Sequence, residues 1–288
     1  MRLSAVPRLL RLQNVFTAAA DACAGFGWTG GQWDWGQVGL AAGASACLYS
    51  GGMALNDVCD AKRDRTLHPE RPIPSGAIPV TAAFSIAAVL LAAGILLATR
   101  FGPRAAAAAV QIAIFIVAYD AFGKTSRVAG PLCMGLLRGL NFALGMAAGG
   151  ALFHDPGTLL PAANLAAFVA VLTLLSTFEE GRRPKGLLAG LVVVAAGALA
   201  APLLYVRMPV RAAGPALLAA GSVLLVGVQA VRRDPDRFLP LVIRTGVRSI
   251  IPFGAAILLG TLDAAEPGLV VLGFLAPTWL LGRWLRGS

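Results

Sequence analysis

Charge is scarce in this chain: 13% of its 288 residues are charged, against roughly 25% in a soluble domain. With 57% hydrophobic residues and a mean hydropathy of +0.75, that scarcity excludes an ordinary soluble cytosolic protein. Aromatics are also few, at 7%; Ala, Leu, Val and Gly dominate instead, which suits helices packed closely in lipid through small residues. Cysteine occurs only at Cys23, Cys47, Cys59 and Cys133, never with C-x-x-C spacing, so neither a zinc site nor a disulfide framework is indicated. The two histidines, His68 and His154, fall in loops expected on opposite sides of a membrane and form no common site. G-x-S-x-G, Walker and H-E-x-x-H sequences are missing, which removes the commonest hydrolase, nucleotide and zinc-protease signatures. No small-residue cleavage site follows Arg2, Arg8 and Arg11, and no low-complexity tract or soluble linker divides the chain. Residues 1–288 therefore read as one transmembrane domain.

What is present is apolar length. Ten stretches, at 9–27, 36–55, 79–99, 105–122, 129–150, 159–177, 187–206, 212–231, 245–262 and 268–284, are each near the length that a hydrocarbon core of about 30 Å requires. The expected fold class is all-α, a polytopic transmembrane bundle of nine to ten helices. Alternate loops divide the cations unequally. Arg100, Arg104, Arg207 and Arg211 fall on one side and Arg138 inside a span, leaving nineteen of the 24 Lys and Arg on the other. The positive-inside rule then puts both termini in the cytoplasm. The net charge of +10 is topological, and no nucleic-acid partner is expected. Trp28, Trp33 and Trp35 mark the opposite interface. Charged loops follow the second and sixth spans, four spans apart, hinting at two four-helix halves.

The first of these loops carries the densest chemistry. In a continuing helix, about 100° of rotation per residue places Asn56, Asp57, Asp60 and Asp64 within an arc of about 100°. Four oxygen-bearing side chains on one face, three of them anionic, are costly at a membrane boundary unless a cation compensates. Mg²⁺ fits, because it takes oxygen ligands and is commonly held by one or two carboxylates plus substrate phosphates. Arg71-Pro72-Ile73-Pro74-Ser75-Gly76 follows as a proline-stiffened loop able to hold Arg71 over the acidic face. Tyr119 and Asp120 end the fourth span, and Lys124 and Arg127 beyond them are placed to grip diphosphate oxygens. Arg138, with Asn141 one turn on, is an intramembrane cation and by default a functional candidate, although a structural partner at Asp21 or Asp120 is the alternative. Asn14 and Asp21 share a face of the first span. The second charged loop offers Glu179 and Glu180, of which one faces any shared site.

Asn56-Asp57-x-x-Asp60-x-x-x-Asp64 with Arg71-Pro72-Ile73-Pro74-Ser75-Gly76 resembles the first signature of the UbiA superfamily of intramembrane prenyltransferases. Tyr119, Lys124 and Arg127 are similar to that family's Tyr and Lys/Arg segment. The resemblance implies an all-helical, usually nine-span bundle holding an isoprenyl diphosphate by Mg²⁺ between two acidic motifs at a cytoplasm-facing cap. The chain departs from the pattern at the second motif, where Glu179 and Glu180 stand in place of an Asp-x-x-x-Asp cluster. That loop, with Arg138-Gly139-Leu140-Asn141, resembles the divergent EboC-like branch of bacterial secondary metabolism, which implies a bacterial inner (cell) membrane and an active site facing the cytoplasm.

The implied reaction transfers an isoprenyl group from a prenyl diphosphate to an aromatic or other electron-rich small-molecule acceptor within the lipid bilayer. Asn56, Asp57, Asp60, Asp64, Glu179 and Glu180 are the expected metal ligands. Asn14, Arg71, Tyr119, Lys124, Arg127, Arg138 and Asn141 are expected to bind substrate, with Asp60, Asp64 and Lys124 acting in catalysis. Two other readings stay open. One is a membrane transporter lined by Asp21, Asp120 and Arg138. The other is a catalytically weakened UbiA-like scaffold protein of a biosynthetic cluster. Approach of Glu179 or Glu180 to Asp60 separates the enzyme from the scaffold.

Overall fold

A computed structural model describes residues 3–29, 33–122, 126, 128–150, 155–179 and 184–287. Among them all regular structure is helical. After a 3-10 turn at Leu3–Ala5 come α1 (Val6–Leu9), α2 (Leu12–Trp28), α3 (Trp35–Cys59), α4 (Ala61–Leu67), α5 (Val80–Thr99), α6 (Pro103–Phe122) and α7 (Ala129–Ala148). A 3-10 turn at Pro156–Leu159 leads into α8 (Leu160–Ser176), α9 (Lys185–Ala200), α10 (Pro202–Tyr205), α11 (Pro209–Arg232), α12 (Pro235–Thr261), α13 (Glu266–Gly273) and α14 (Leu275–Gly287). Eight helical stretches among the described residues are long and apolar enough to cross a membrane. Helices α2, of 17 residues, and α9, of 16, coincide with the first and seventh expected spans. At 1.5 Å per residue each covers about 25 Å. The protein is an integral, multi-pass membrane protein.

Local chemistry explains where these helices start. Asp34 caps α3, its side chain accepting from Gln37 N at 2.7 Å, and Asp234 caps α12 by accepting from Arg237 N at 3.3 Å, each satisfying an otherwise orphaned first-turn amide. Pro235 follows Asp234 at the first helical position, where a missing N–H costs nothing. The cap starts α12 at residue 235, ten residues before the expected apolar boundary, because Arg237, Arg244 and Arg248 interrupt the hydropathy without interrupting the backbone. The seventh span is divided at Pro202 into α9 and α10.

Helix α3 packs on α5, α11 on α12, and α7 on α8. Buried side chains gather into one core among α3, α5, α6 and α7 and another among α8, α9, α11 and α12. The seam between them is α2 against α7. Its closeness depends on two glycines: a Cβ on Gly25 would strike the Phe142 carbonyl oxygen, and one on Gly145 the Ala22 carbonyl oxygen. Small residues of this kind let helix backbones touch in lipid. The far end of the seam is closed by Thr29 Oγ1, which donates to Gly149 O at 3.0 Å, and by Trp28 Nε1, which donates to Thr158 O at 2.8 Å.

Gly145→Leu is expected to force α2 and α7 apart and to cost at least about 1–3 kcal/mol, the range for overpacking. Gly197→Leu, where no atom lies within 4 Å of the added carbon, is expected to leave stability unchanged. Thermal unfolding of both variants in detergent checks the pair, and equal midpoints would remove the seam's special status.

Candidate active site

The register of α3 assembles the site. Tyr49, Gly52, Met53, Asn56 and Asp60 recur every three or four residues, one face of a helix, and all line a cavity of about 590 Å³. Helix α6 adds Ile112, Ile116, Tyr119 and Asp120. Helix α7 adds Leu137, Arg138 and Asn141. Arg11 closes the cavity from the junction of α1 and α2, and Arg63 and Arg71 from the segment after α3. Charged and polar groups therefore gather where these helices end, and apolar side chains line the depth.

The three carboxylates of the motif each meet an arginine, two of them from elsewhere in the chain and one from the next turn. Asp57 Oδ1 lies 3.3 Å from Arg11 Nη2, Asp60 Oδ2 lies 3.6 Å from Arg63 Nη2, and Asp64 Oδ2 lies 2.6 Å from Arg71 Nη1. Arg11 reaches Asp57 from a left-handed backbone conformation, φ 48°, which costs about 1–2 kcal/mol for a residue with a Cβ. Asn56 Nδ2 donates to Asp60 Oδ2 at 3.3 Å. Burial is deep, with Asp57 4% exposed, Asp60 8% and Asp64 0%. The loop carrying Arg71 is fixed by Ser75 N donating to Arg71 O and Gly76 N to Ile73 O, both at 3.0 Å. Gly76 takes a φ of +73°, which glycine alone adopts without strain. Ile73 and Ile78 pin the loop into a small core with Leu9, Ala54 and Ala61.

A second polar group forms the inner wall. Arg138 Nη1 pairs with Asp21 Oδ2 at 2.7 Å and its Nη2 donates to Thr17 Oγ1 at 2.8 Å, while its guanidinium sits 5.3 Å from the Tyr49 ring centre. Asn141 Nδ2 donates to Asp21 Oδ2 at 3.2 Å and Ala18 O at 3.0 Å. Ser45 Oγ donates to Asn141 Oδ1 at 2.8 Å, tying α3 to α2 and α7. Arg138 thus has the structural partner at Asp21 that the sequence left as an alternative, and it lines the cavity as well.

Of the expected site residues, Asn56, Asp60, Arg71, Tyr119, Arg138 and Asn141 share the cavity. Asp57 and Asp64 stand behind its wall on their arginines. Asp60 is a turn residue with ψ −2° between α3 and α4, and the i to i−4 bonds run on through it, from Asp60 N to Asn56 O and from Asp64 N to Asp60 O, both at 2.9 Å. Asn14 and Glu179 line a different cavity, of about 490 Å³. Lys124, Arg127 and Glu180 lie outside the described residues. Sequence reasoning passed over Tyr49, Arg63 and Arg11. Tyr49 lies seven residues before Asn56, and Arg63 three after Asp60, so helical spacing could have found both. Nothing local marks Arg11.

Among the described residues no three His, Cys, Asp or Glu side chains converge to hold an ion unaided. Asn56 and Asp60 nonetheless present oxygens to the cavity, and behind its wall Asp64 Oδ1 is buried without a hydrogen-bond partner. That is a donor set suited to a hard divalent cation completed by water or ligand oxygens.

The bundle thus encloses a largely apolar cavity that ends in paired acids and arginines. Comparison with known proteins gives the family. Residues 16–238 match the model of the UbiA prenyltransferase family, and the chain belongs to that family. It is similar to the digeranylgeranylglyceryl phosphate synthase of Ignicoccus hospitalis, 27% identical over 68% of this chain and 72% of the relative. It is also similar to that of Saccharolobus solfataricus, 31% identical over 63% of each chain, so the match spans under two thirds of the latter. A UbiA homologue from Archaeoglobus fulgidus, described as bound to GPP and Mg²⁺, superposes with a TM-score of 0.62 at 17% identity, covering 96% of this chain and 98% of that one. These relatives are archaeal, and they carry the family without the EboC-like branch or a place in secondary metabolism.

Removing Arg138 leaves Asp21 buried and unpaired. Arg138→Gln is expected to destabilise the protein by about 3–5 kcal/mol, while Arg63→Gln, at a half-exposed pair, is expected to cost under about 1 kcal/mol. Unfolding in detergent distinguishes them, and similar losses would contradict the assignment of the inner wall.

Proposed function

We propose that this UbiA-type prenyltransferase is a Mg²⁺-dependent intramembrane enzyme that transfers an isoprenyl group from a prenyl diphosphate to an aromatic or other electron-rich acceptor. The observation that carries this reading is the single cavity in which Asn56, Asp60, Arg63, Arg71 and Tyr119 ring the mouth and Leu48, Ile112, Ile116 and Leu137 wall the depth. Named relatives that are prenyl-transferring synthases and the GPP-bound homologue support it.

Asn56, Asp60 and Asp64 would hold Mg²⁺, with Asp57 orienting Arg11 beside them. The ion supplies charge neutralisation for the departing diphosphate. Arg63 and Arg71 bind diphosphate oxygens through forked hydrogen bonds, and Lys124 and Arg127 are proposed to join them. Breaking the allylic C–O bond sends its electron pair to the diphosphate, where the guanidinium groups of Arg63 and Arg71 would meet it. The apolar wall orients the isoprenoid and excludes water, so that the allylic cation survives until the acceptor attacks it. The ring faces of Tyr49 and Tyr119 favour positive charge nearby. The new bond then forms, and the proton lost by the acceptor passes to a carboxylate at the mouth, Asp60, Asp64 or Asp120. By the cation asymmetry of the loops, this mouth faces the cytoplasm from the cell membrane, and 1–288 act as one domain.

One observation favours the weakened-scaffold reading: Glu179 lines the second cavity and not the one that Asp60 lines. Binding of a panel of isoprenyl diphosphates to detergent-purified protein, with Mg²⁺ and with EDTA, decides between the two. The enzyme reading expects Mg²⁺-dependent binding that Asp60→Ala and Asp64→Ala each weaken by about two orders of magnitude, the scale of losing a buried charge interaction. Both variants should keep a monodisperse, cooperatively unfolding protein. Absence of binding in every condition would leave the scaffold.

A further inference from the structure

The second cavity, of about 490 Å³, is bounded by α1, α2, α12 and α14 and takes no part in the proposed reaction. Arg8 lines it from α1, and Arg244 and Arg248, one turn apart on α12, line it from the other side. Among the described residues one carboxylate, Glu179, lies with these three arginines, so positive charge is in excess. Two of its polar atoms are orphaned: Arg8 Nε and the Gln13 side-chain oxygen are buried with no hydrogen-bond partner. A buried donor left unmade costs about 1–3 kcal/mol, and a fold that keeps one beside an excess of guanidinium groups is shaped for an anion. Ile243, Val247 and Leu285 give the same cavity an apolar flank. Arg8 sits before α2, Gln13 and Asn14 in its first turn and Arg244 and Arg248 in the first half of α12, and Leu285 in the last turns of α14. That level is the end of the bundle where the positive charges collect and lipid headgroups lie.

We propose that this cavity binds a phosphate group, presented by the headgroup of an anionic membrane lipid or by free phosphate. Phosphate oxygens would accept from Arg8 Nε and from the forks of Arg244 and Arg248, in the geometry for which arginine is suited. Turning the Gln13 amide over, an orientation that heavy atoms alone do not distinguish, presents its NH₂ to the same oxygens. An acyl chain attached to that phosphate lies along Ile243, Val247 and Leu285. The site is separate from the first cavity, and its occupancy does not depend on whether that cavity takes a diphosphate.

The test uses the full-length protein in detergent, following the unfolding midpoint against added inorganic phosphate, phosphatidylglycerol and an uncharged diacylglycerol of the same chains. The proposal expects a saturable rise with phosphatidylglycerol and none with diacylglycerol. A matching rise with inorganic phosphate identifies free phosphate as a sufficient ligand, and a rise with the lipid alone identifies the headgroup as the source. Arg8→Gln combined with Arg244→Gln should weaken the response about tenfold or more, the scale of losing charge-assisted hydrogen bonds, whereas Arg71→Gln at the first cavity should leave it intact. Should the double variant not purify as a monodisperse species, Arg244→Gln alone takes its place. No response in the wild type, an equal response to diacylglycerol, or a response lost in Arg71→Gln and kept in the Arg8 and Arg244 variants would overturn it. Absence of isoprenyl diphosphate binding would bear on the transferase reading alone.

Discussion

A carboxylate carried into a bilayer has no water to stabilise it, and Asp21, 1% exposed, must be met by a cation. Arg138 meets it at 2.7 Å, and this contact forms only if α2 and α7 approach to backbone distance, which Gly25 and Gly145 allow. The pair fixes the rotation of both helices. With that rotation set, Asn141 turns toward Asp21 and the Ala18 carbonyl, Ser45 draws α3 against the same group, and the stripe from Tyr49 to Asp60 faces the space left between α3, α6 and α7. The inner wall of the cavity is thus a consequence of satisfying one buried charge.

The mouth obeys the same electrostatic rule with different partners. Asp57, Asp60 and Asp64 face Arg11, Arg63 and Arg71, so acids and cations balance before any ligand is present. Burial of unpaired charge costs several kcal/mol per ion, and the site proposed for a divalent cation and a diphosphate must hold both signs of charge without collapsing. Pairing them does that. In the proposed reaction a cation would take over the carboxylates and a diphosphate the guanidinium groups, and the bundle need not be rebuilt for the exchange.

The break between α1 and α2 divides the cations of the N-terminal segment. Arg11, in its left-handed conformation, turns into the first cavity, while Arg8 and Gln13 line the second. Two basic chambers therefore lie on either side of α2 at one end of the bundle. One is walled by helices that also carry carboxylates. Among the described residues the other has one carboxylate, Glu179, with three arginines, so the two differ in the ligands proposed for them: a metal-bound diphosphate in the first, a bare phosphate in the second.

Each of the ten apolar stretches in the sequence falls on helix, eight of them on one helix each and the seventh and tenth on two, because hydropathy and a 3.6-residue period are local properties, readable within one span. The facing of Asn56 and Asp60 into one cavity was legible for the same reason, and so, unused, was Tyr49 one heptad earlier. The placement of Asp57 and Asp64 was not, since each is held by an arginine, Arg11 and Arg71, that the fold brings to it. Asn14 and Glu179 show the same limit: both sit at the expected end of the bundle, yet packing sends them to the second cavity. Arg11 finds Asp57 across 46 residues and Arg138 finds Asp21 across 117. Sequence alone determined the helices and the end at which charge gathers, through patterns contained in short windows. Which charges meet was decided only by tertiary structure, because an ion pair depends on distance in space and carries no trace of the separation along the chain.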